Sequence, residues 1–382
     1  MQWDRAIVGR TASVAWALSL AACGGGGSGG GGSGLAVAQA TAALTDAALV
    51  SDGVVAAAHT DSNLLNAWGL AAAPGGPFWV VDNNSNESTT YDGTGAPQLG
   101  PVTIPAGVNG PANPTGEVYN GTADFVITTS AGSAPAQFVF SGEGGTITGW
   151  AQSVSGSTAT IAYDDGAGGA VYKGLAMANN GTANLLYATD LHNAKIDVFD
   201  THFHKVALAG GFADPTIPAG FAPFGIQALN NQLYVTYAMQ DATAHDEVLG
   251  AGLGYVNIFD VNGNLVKRFS SAGALNAPWG IALAPAGFGS SGGNLLIGNF
   301  GDGVINRFDP VSGNSLGSIS LASGKQLVIP GVWALVFGNG AANQPSGTLF
   351  YTAGPNNQTD GVFGRIDGVA ASSPAPCTGY GC

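Results

Sequence analysis

Six segments of the chain share a short pattern in which a small residue, usually glycine, lies between bulkier side chains. They are AWGLA from Ala67, PTGEV from Pro114, YKGLA from Tyr172, PFGIQ from Pro223, PWGIA from Pro278 and VWALV from Val332. The central residues of successive copies are 47 to 58 positions apart. Internal repetition at such a spacing is typical of repeat architectures in which one supersecondary unit recurs.

Within each copy, short apolar or alternating runs are separated by polar turn residues, which predicts β-strands. The fifth copy contains four such runs, WGIALA, NLLIGNF, GVINRFD and SLGSISL. Four short strands in about 50 residues are typical of a propeller blade. The pattern therefore predicts an all-β fold, a six-bladed β-propeller of four-stranded blades over residues 44–370.

The predicted third strands mostly end in an aromatic residue or isoleucine followed by aspartate. These aspartates are Asp92, Asp200, Asp260, Asp309 and Asp367. At this position a carboxylate can accept hydrogen bonds from the amides of the following turn, so we expect a structural role. The sixth copy has no clear fourth strand after Asp367. We expect an N-terminal strand within residues 44–52 to join the last blade and close the ring, because open edges would otherwise be exposed.

The first 43 residues have the features of an export and anchoring segment. Residues 1–22 carry arginines and then an apolar stretch that is too short to span a membrane and fits a signal peptide. The stretch ends in LAAC, which resembles the lipobox of bacterial lipoproteins and predicts lipidation of Cys23; the alternative is an ordinary signal peptide with a chance cysteine. Residues 23–43 are a flexible tether rich in Gly and Ser. We expect a chain that the lipid anchors to the bacterial outer membrane, on its periplasmic or surface side.

Two cysteines lie in the C-terminal tail, residues 371–382. If Cys23 is lipidated, Cys377 and Cys382 remain as a pair, and an exported compartment permits a disulfide between them. Such a bond would close only a small terminal ring, so its contribution to stability should be small.

The composition excludes some functions. Glycine is abundant, with 62 residues, and only 9% of the residues are charged, but 45% are hydrophobic, which is enough for a substantial core. The net charge is −14 with ten Lys and Arg in total. A nucleic-acid-binding protein needs a clustered basic face, so nucleic acid is not expected as a partner.

The repeats resemble NHL-type repeats, in which P-x-G-[IL]-A leads to a strand, a polar loop and an aromatic-Asp turn. The body of the chain more closely resembles an uncharacterised family of exported bacterial six-bladed propellers. The match rests on GLAMANNGTANLLYATDLHNAKIDVFD, GFAPFGIQ, YVTYAMQDATAHDEVLGAG, ALNAPWGIALAP and NLLIGNFGDGVINRFD. The resemblance implies the fold but no activity and no catalytic residues.

Polar residues cluster in the loops that should join the second and third strands of each blade, on the face where propellers usually bind ligands. The candidates for a ligand or ion site are Asp82, Asn83, Glu143, Asp190, His192, Asp241, His245, Asp246, Asn299, Asp302 and Asn356. Carboxylates and amides that converge would suit calcium, which takes six to eight oxygen ligands. The same residue types also favour solvated turns, so both interpretations stay open.

The fourth copy contains a long excursion, AMQDATAHDEVLGAGLG, which lengthens the distance from Gly225 to Asp260. Extra length of this kind often forms a lid or a partner contact, although an insertion can also simply be tolerated.

These features favour a monomeric binding or scaffold module at the cell envelope, which engages a protein or a glycan through its loops. They include no convincing catalytic constellation. The alternative is a calcium-dependent hydrolase, similar to lactonase-type propellers, with its site at the channel mouth. That alternative requires carboxylates from at least three blades to meet on the axis.

Overall fold

The computed structural model describes residues 43–369, which form six four-stranded antiparallel blades around a central channel. The strands run from the innermost to the outermost of each blade. Blade 1 contains Ala67–Ala72, Phe78–Asp82, Glu87–Tyr91 and Val102–Thr103; blade 2, Pro114–Tyr119, Phe138–Gly142, Thr146–Trp150 and Thr160–Asp164; blade 3, Tyr172–Asn179, Asn184–Asp190, Lys195–Phe199 and Lys205–Val206; blade 4, Phe221–Leu229, Gln232–Gln240, Tyr255–Asp260 and Leu265–Ser271; blade 5, Pro278–Leu283, Leu295–Asn299, Ile305–Phe308 and Ser315–Ser318; blade 6, Val332–Phe337, Leu349–Ala353, Val362–Val369 and Ala43–Ser51. The predicted all-β, six-bladed fold is confirmed.

A few shorter elements lie outside the regular four-stranded pattern. A hairpin of Val126–Thr129 and Gly132–Pro135 is inserted in blade 2, and Glu247–Val248 pairs with the second strand of blade 4. His59–Thr60 pairs in parallel with the strand Ala43–Ser51. Single helical turns occur at Gly166–Gly168, Gly289–Ser291 and Pro355–Gln358. Among residues 43–369, no helix is long and apolar enough to cross a membrane.

The ring closes as expected. Ala43–Ser51, here called the closing strand, runs antiparallel to Val362–Val369 as the outermost strand of blade 6. Tyr351, on the second strand of that blade, donates a hydrogen bond from its hydroxyl to Asp46 Oδ1 at 2.8 Å. The N-terminal part of the propeller therefore completes the same sheet as the C-terminal part. The signal peptide, Cys23, the tether up to residue 42, and the pair Cys377 and Cys382 lie outside the described residues.

The repeated glycine has a steric explanation. Each inner strand has an irregular register at this point, where it runs against the inner strand of the next blade. A Cβ at Gly225 would lie 2.2 Å from the carbonyl oxygen of Trp279, and one at Gly280 would lie 2.2 Å from that of Trp333. Because such distances are far below contact, glycine is needed for the blades to pack this closely. The last copy, with Ala334, is the exception.

Four of the five repeated aspartates have the predicted structural role. Asp92, Asp200, Asp260 and Asp309 each accept hydrogen bonds from backbone amides of the turn that follows. The prediction is wrong for Asp367, whose carboxylate instead binds the guanidinium of Arg365 and accepts a hydrogen bond from Thr348 Oγ1 at 2.7 Å. Asp367 lies within the strand Val362–Val369, which forms eight residue pairs with the closing strand, so no turn follows it directly.

Candidate functional site

The residue before the repeated glycine or alanine lies at the centre of the propeller in five of the six blades, all except blade 2. In blade order, the residues at this position are Trp68, Thr115, Lys173, Phe224, Trp279 and Trp333. Trp68 stacks on Trp333 with ring centroids 3.6 Å apart, and it also meets Phe224 of blade 4 at 6.5 Å. Contacts between blades that are not neighbours can form only at the axis. With Phe300, whose ring lies 4.0 Å from that of Trp333, these aromatic side chains form an aromatic plug in the channel. Trp68 and Trp333 are therefore core residues, and Trp279 packs beside them while remaining partly exposed.

Lys173 takes the corresponding position in blade 3 and places an ammonium group at the plug. Its side chain is fully buried, and its Nζ lies 5.2 Å from the centroid of Trp68. The ammonium pairs with Glu143 of blade 2 and, at 3.1 Å, with Asp246 of blade 4. A buried charge requires such partners. We call Glu143, Lys173, His245, Asp246 and Glu247 the lysine cluster.

The lysine cluster shifts the pKa values of its members. Burial alone would lower the pKa of Lys173, but the carboxylates of Glu143 and its neighbours raise it above the ordinary value, so the group is charged. The hydrogen bond from His245 and the charge of Lys173 hold the pKa of Asp246 well below its usual range. Burial raises the pKa of Glu247 to about 7, although Lys173 opposes the shift.

A chain of hydrogen bonds extends the lysine cluster around the plug. Asn83 donates to Glu143 Oε2 at 3.2 Å, and Asn66 donates to Asn83 Oδ1 at 3.2 Å. Trp333 Nε1 donates to Asn66 Oδ1 at 3.2 Å, and a second amide contact joins Asn66 to Gln358 Oε1. Polar groups from blades 6, 1 and 2 therefore orient one another and hold the carboxylate of Glu143 in place.

The long excursion of blade 4 supplies the outer part of the cluster. It folds back on Gln232–Gln240 through the pairing of Met239 with Val248 and of Gln240 with Glu247. Asp241 Oδ1 accepts the amide hydrogen of His245 at 2.9 Å, which closes the tip into a turn. The pairing directs Asp246 and Glu247 towards Lys173. The excursion is therefore a structural part of the site.

Glu143, His245 and Asp246 could in principle hold a metal ion, since one ligand atom from each lies within 4.8 Å of the others. However, the ammonium of Lys173 already lies between the two carboxylates. The carboxylates of the described cluster come from blades 2 and 4 only, whereas the calcium hypothesis required three blades. Calcium also needs six to eight oxygen ligands. These residues therefore fit an internal ammonium better than a calcium ion.

The other predicted site residues lie apart from the cluster. Asp190 caps its own turn through Asn193, and the Asn299 amide donates to the carbonyl of Ala274 at 2.8 Å. The ring of His192 lies beside Gly169, and Asp241 is confined to its turn. Asp82 is completely buried, and its carboxylate has no hydrogen-bond partner among the described residues. The structure thus brings together Asn83, Glu143, His245 and Asp246.

Asp302 and Asn356 border a second feature of the same face, a cavity of about 410 Å³ between blades 5 and 6. Phe300 and Pro330 contribute apolar walls, and Leu249 of the blade-4 excursion reaches its edge. Asn356 and Asn357 have φ angles of 53° and 56°, in the left-handed region. Consecutive residues in this conformation are uncommon outside glycine and often occur at functional sites.

Comparisons with known proteins identify relatives but no activity. The chain is 33% identical over 325 residues to uncharacterized protein R648 of Acanthamoeba polyphaga mimivirus, a match covering 83% of this chain and 78% of the relative. It is 34% identical over 328 residues to uncharacterized protein L690 of the same virus, covering 83% and 84%. The chain belongs to this family. No protein-family model matches the sequence.

Among solved structures, a protein of unknown function from Bacteroides thetaiotaomicron is similar, with a TM-score of 0.52 and 10% identity. The match covers 85% of this chain and 76% of that one. At this identity the similarity supports the fold alone. The curated relatives of the R648 and L690 family are viral, so they lend no support to the expected bacterial, exported origin.

The sequence of this member of the R648 and L690 family did not predict the roles of Lys173 and Asn66, whereas Glu247 belongs to the blade-4 excursion that the sequence marks as a candidate contact. The shared glycine is the most obvious feature of the six motifs, and the residue before it is aromatic in four of them. An alignment of the six motifs would have shown that Lys173 replaces an aromatic or threonine side chain, in a chain with only ten basic residues. No comparable signal marks Asn66, because its role depends on contacts with neighbouring blades.

Proposed function

We propose that the protein is a non-catalytic binding module that engages a glycan through the face bearing the loops between second and third strands, here called the loop face. The observation that carries this proposal is the ion pairing of Lys173. Its ammonium pairs with the carboxylates of both Glu143 and Asp246 at the centre of the face, so the strongest charges there bind one another. The arrangement favours a rigid platform over a metal-dependent catalyst.

The cavity between blades 5 and 6 is the part of the loop face best suited to a sugar. An aromatic ring can pack against the apolar face of a sugar, while carboxylates and amides can bind its hydroxyl groups. Phe300, which is mostly buried against Trp333, contributes the edge of an aromatic ring to the wall. Asp302, Asn356 and Asn357 supply polar groups at the rim. The same combination would be less suited to a strongly charged ligand.

The site of action is the second part of the proposal. The apolar stretch before Cys23 and the Gly/Ser-rich tether support export, lipid anchoring to the outer membrane and display of the propeller at the cell envelope. An envelope polysaccharide is therefore the partner we favour, and an envelope protein is the alternative outcome of the test below.

One observation favours the hydrolase alternative. Burial raises the pKa of Glu247 to about 7, where a carboxyl group can act as a general base near neutral pH. In this form of the hydrolase hypothesis, Glu247 is the general base and no calcium ion takes part. Turnover of an ester or lactone by the wild type but not by Glu247→Gln would support it.

The binding proposal can be tested on an array of bacterial envelope polysaccharides. Leu249 is 51% exposed at the edge of the cavity, so Leu249→Asp should weaken glycan binding at least tenfold without unfolding the protein. Val311 is 83% exposed in a turn between the third and fourth strands of blade 5, away from the loop face, so Val311→Asp is the matched control and should bind normally. Failure to retain any polysaccharide, or equal weakening by both variants, would contradict the proposal. Capture of an envelope protein alone would replace glycan by protein as the partner.

A further inference from the structure

A second position of the repeat differs in one blade only. The residues that follow the repeated glycine or alanine are Leu70, Glu117, Leu175, Ile226, Ile281 and Leu335. Five of them are leucine or isoleucine, so the fold accepts an apolar side chain here. Glu117 is therefore not required for the blades to close around the channel. Packing between the blades does not explain why this position carries a carboxyl group.

Glu117 lies where two cavities of the channel meet. The inner cavity is lined by this ring of residues and by Trp279 of the aromatic plug. The outer cavity, of about 260 Å³, lies towards the ends of the inner strands, on the face opposite the loop face. Both are bordered by Leu70, Glu117, Leu175, Gln227 and Val336, so together they form one shaft that the plug closes at its inner end. Apart from Glu117, Gln227, Trp279 and Tyr119, the side chains of its walls are apolar, and polar backbone groups lie between them.

The carboxyl group of Glu117 has no partner in this shaft. Glu117 is 7% exposed, and neither of its carboxyl oxygens has a hydrogen-bond partner among the described residues. Burial raises its pKa well above the ordinary value, and the nearby Asp82 raises it further. An unpaired buried carboxylate is unfavourable, so the group gains much from a cation that enters the shaft.

We propose that the shaft binds a small alkylammonium ion, whose ammonium group pairs with Glu117 and whose hydrocarbon part contacts the aliphatic walls. The size of the outer cavity suits a ligand of a few carbon atoms. Trp279 is partly exposed at the inner end, and the face of an indole attracts organic cations. Among the side chains of the walls, a metal ion would find one carboxylate, the Gln227 amide and the Tyr119 hydroxyl, too few for calcium.

The ionisation of Glu117 determines how the affinity for the cation depends on pH. Without a ligand, the raised pKa favours the neutral carboxyl group, whereas the ion pair needs the carboxylate. Binding therefore releases a proton from Glu117. At pH values below the pKa of Glu117 in the ligand-free protein, each rise of one pH unit should increase the affinity by up to about tenfold. An alkylamine remains charged up to about pH 10, so its own titration does not interfere at pH 6 to 9.

The test is calorimetric titration of the full chain with n-butylammonium chloride at pH 6 to 9, with n-butanol as the neutral probe. Wild type should bind the cation more tightly than the alcohol, and more tightly as the pH rises. Glu117→Leu restores the residue type of the other blades, so it should fold, unfold at a higher temperature than wild type, and lose at least tenfold in affinity for the cation.

Glu117→Gln keeps the shape and removes the charge, and it decides the result if the leucine variant does not fold. Leu249→Asp, on the loop face, should bind n-butylammonium as wild type does, which separates this site from the proposed glycan site. The proposal is overturned if wild type does not bind the cation, or if Glu117→Gln binds it equally well.

Discussion

At the scale of single residues, the chemistry of the loop face depends on how buried charges are paired. Lys173 is fully buried, yet Glu143, Asp246 and the ring of Trp68 compensate for its removal from water. Glu247 lies beside this pair without a partner for Oε2 among the described residues. Burial therefore affects it more than the nearby lysine does, and its pKa rises.

Glu247 should make stability depend on pH. Its pKa is about 7 in the folded state, against an ordinary 4.5. Between these values the unfolded chain loses the proton and the folded chain keeps it, so stability falls as pH rises, by up to about 1.4 kcal/mol per unit for this group. Glu247→Gln should have a shallower fall in free energy of unfolding in urea between pH 5 and 7. Equal slopes for the two proteins would show that Glu247 does not titrate in this window.

Residue types in the loops predicted part of the cluster, because carboxylates and amides after second strands converge on one face. This reasoning reached Asn83, Glu143, His245 and Asp246. It could not reach Lys173 or Glu117, which lie in inner strands and resemble core positions in the other blades. It also assigned Asp190 and Asp241 to the candidate site, although both bind their own turns. Sequence does not distinguish a turn-forming carboxylate from one that reaches a ligand.

At the scale of elements, the inner strands are held together by the close approach of neighbouring backbones. The repeated pattern predicted these strands well, but it did not explain the glycine. The structure explains the repeated glycine by the close approach of neighbouring inner strands. At Gly225, for example, there is no room for a Cβ beside the backbone of Trp279. The blade-4 excursion is the element whose course was least predictable, because its pairing with Gln232–Gln240 lengthens a hairpin beyond the regular blade.

Gly225→Ala should therefore destabilise the propeller severely. The added methyl group would lie 2.2 Å from the carbonyl oxygen of Trp279, so blade 5 would have to move. We expect a loss of about 3 kcal/mol or more in the free energy of unfolding, as for overpacked cores. Gly100→Ala is the matched control, since no atom lies within 4 Å of a Cβ there. If the two variants unfold at the same urea concentration, the steric explanation fails.

At the scale of the whole molecule, the ring depends on the pairing of the closing strand with the last blade. The sequence predicted this closure, because the sixth copy has no clear fourth strand after Asp367. A strand from the N-terminal end of the propeller was therefore needed to cover the exposed edge of that blade. Contacts across the axis, such as Trp68 with Phe224, were not predictable, since they require the geometry of all six blades at once.

Removal of the closing strand should prevent folding. A chain that begins at residue 53 lacks the partner of Val362–Val369 and exposes an edge, so it should aggregate and show no cooperative thermal unfolding by circular dichroism. A chain that begins at residue 41 keeps the strand and is the control. A soluble, cooperatively folded product from the shorter chain would mean that the ring does not need this strand.

The central claim is that Lys173 provides the positive charge of the loop face in place of a metal ion. The most direct test is urea unfolding of wild type and Lys173→Met, each with EDTA and with calcium. Wild type should be unaffected by either addition, and Lys173→Met should lose about 3 to 5 kcal/mol because it leaves buried carboxylates unpaired. Lys325→Met removes an exposed ammonium that forms no ion pair among the described residues, so it is the control and should lose less than about 1 kcal/mol. Stabilisation of wild type by calcium, or normal stability of Lys173→Met, would contradict the account.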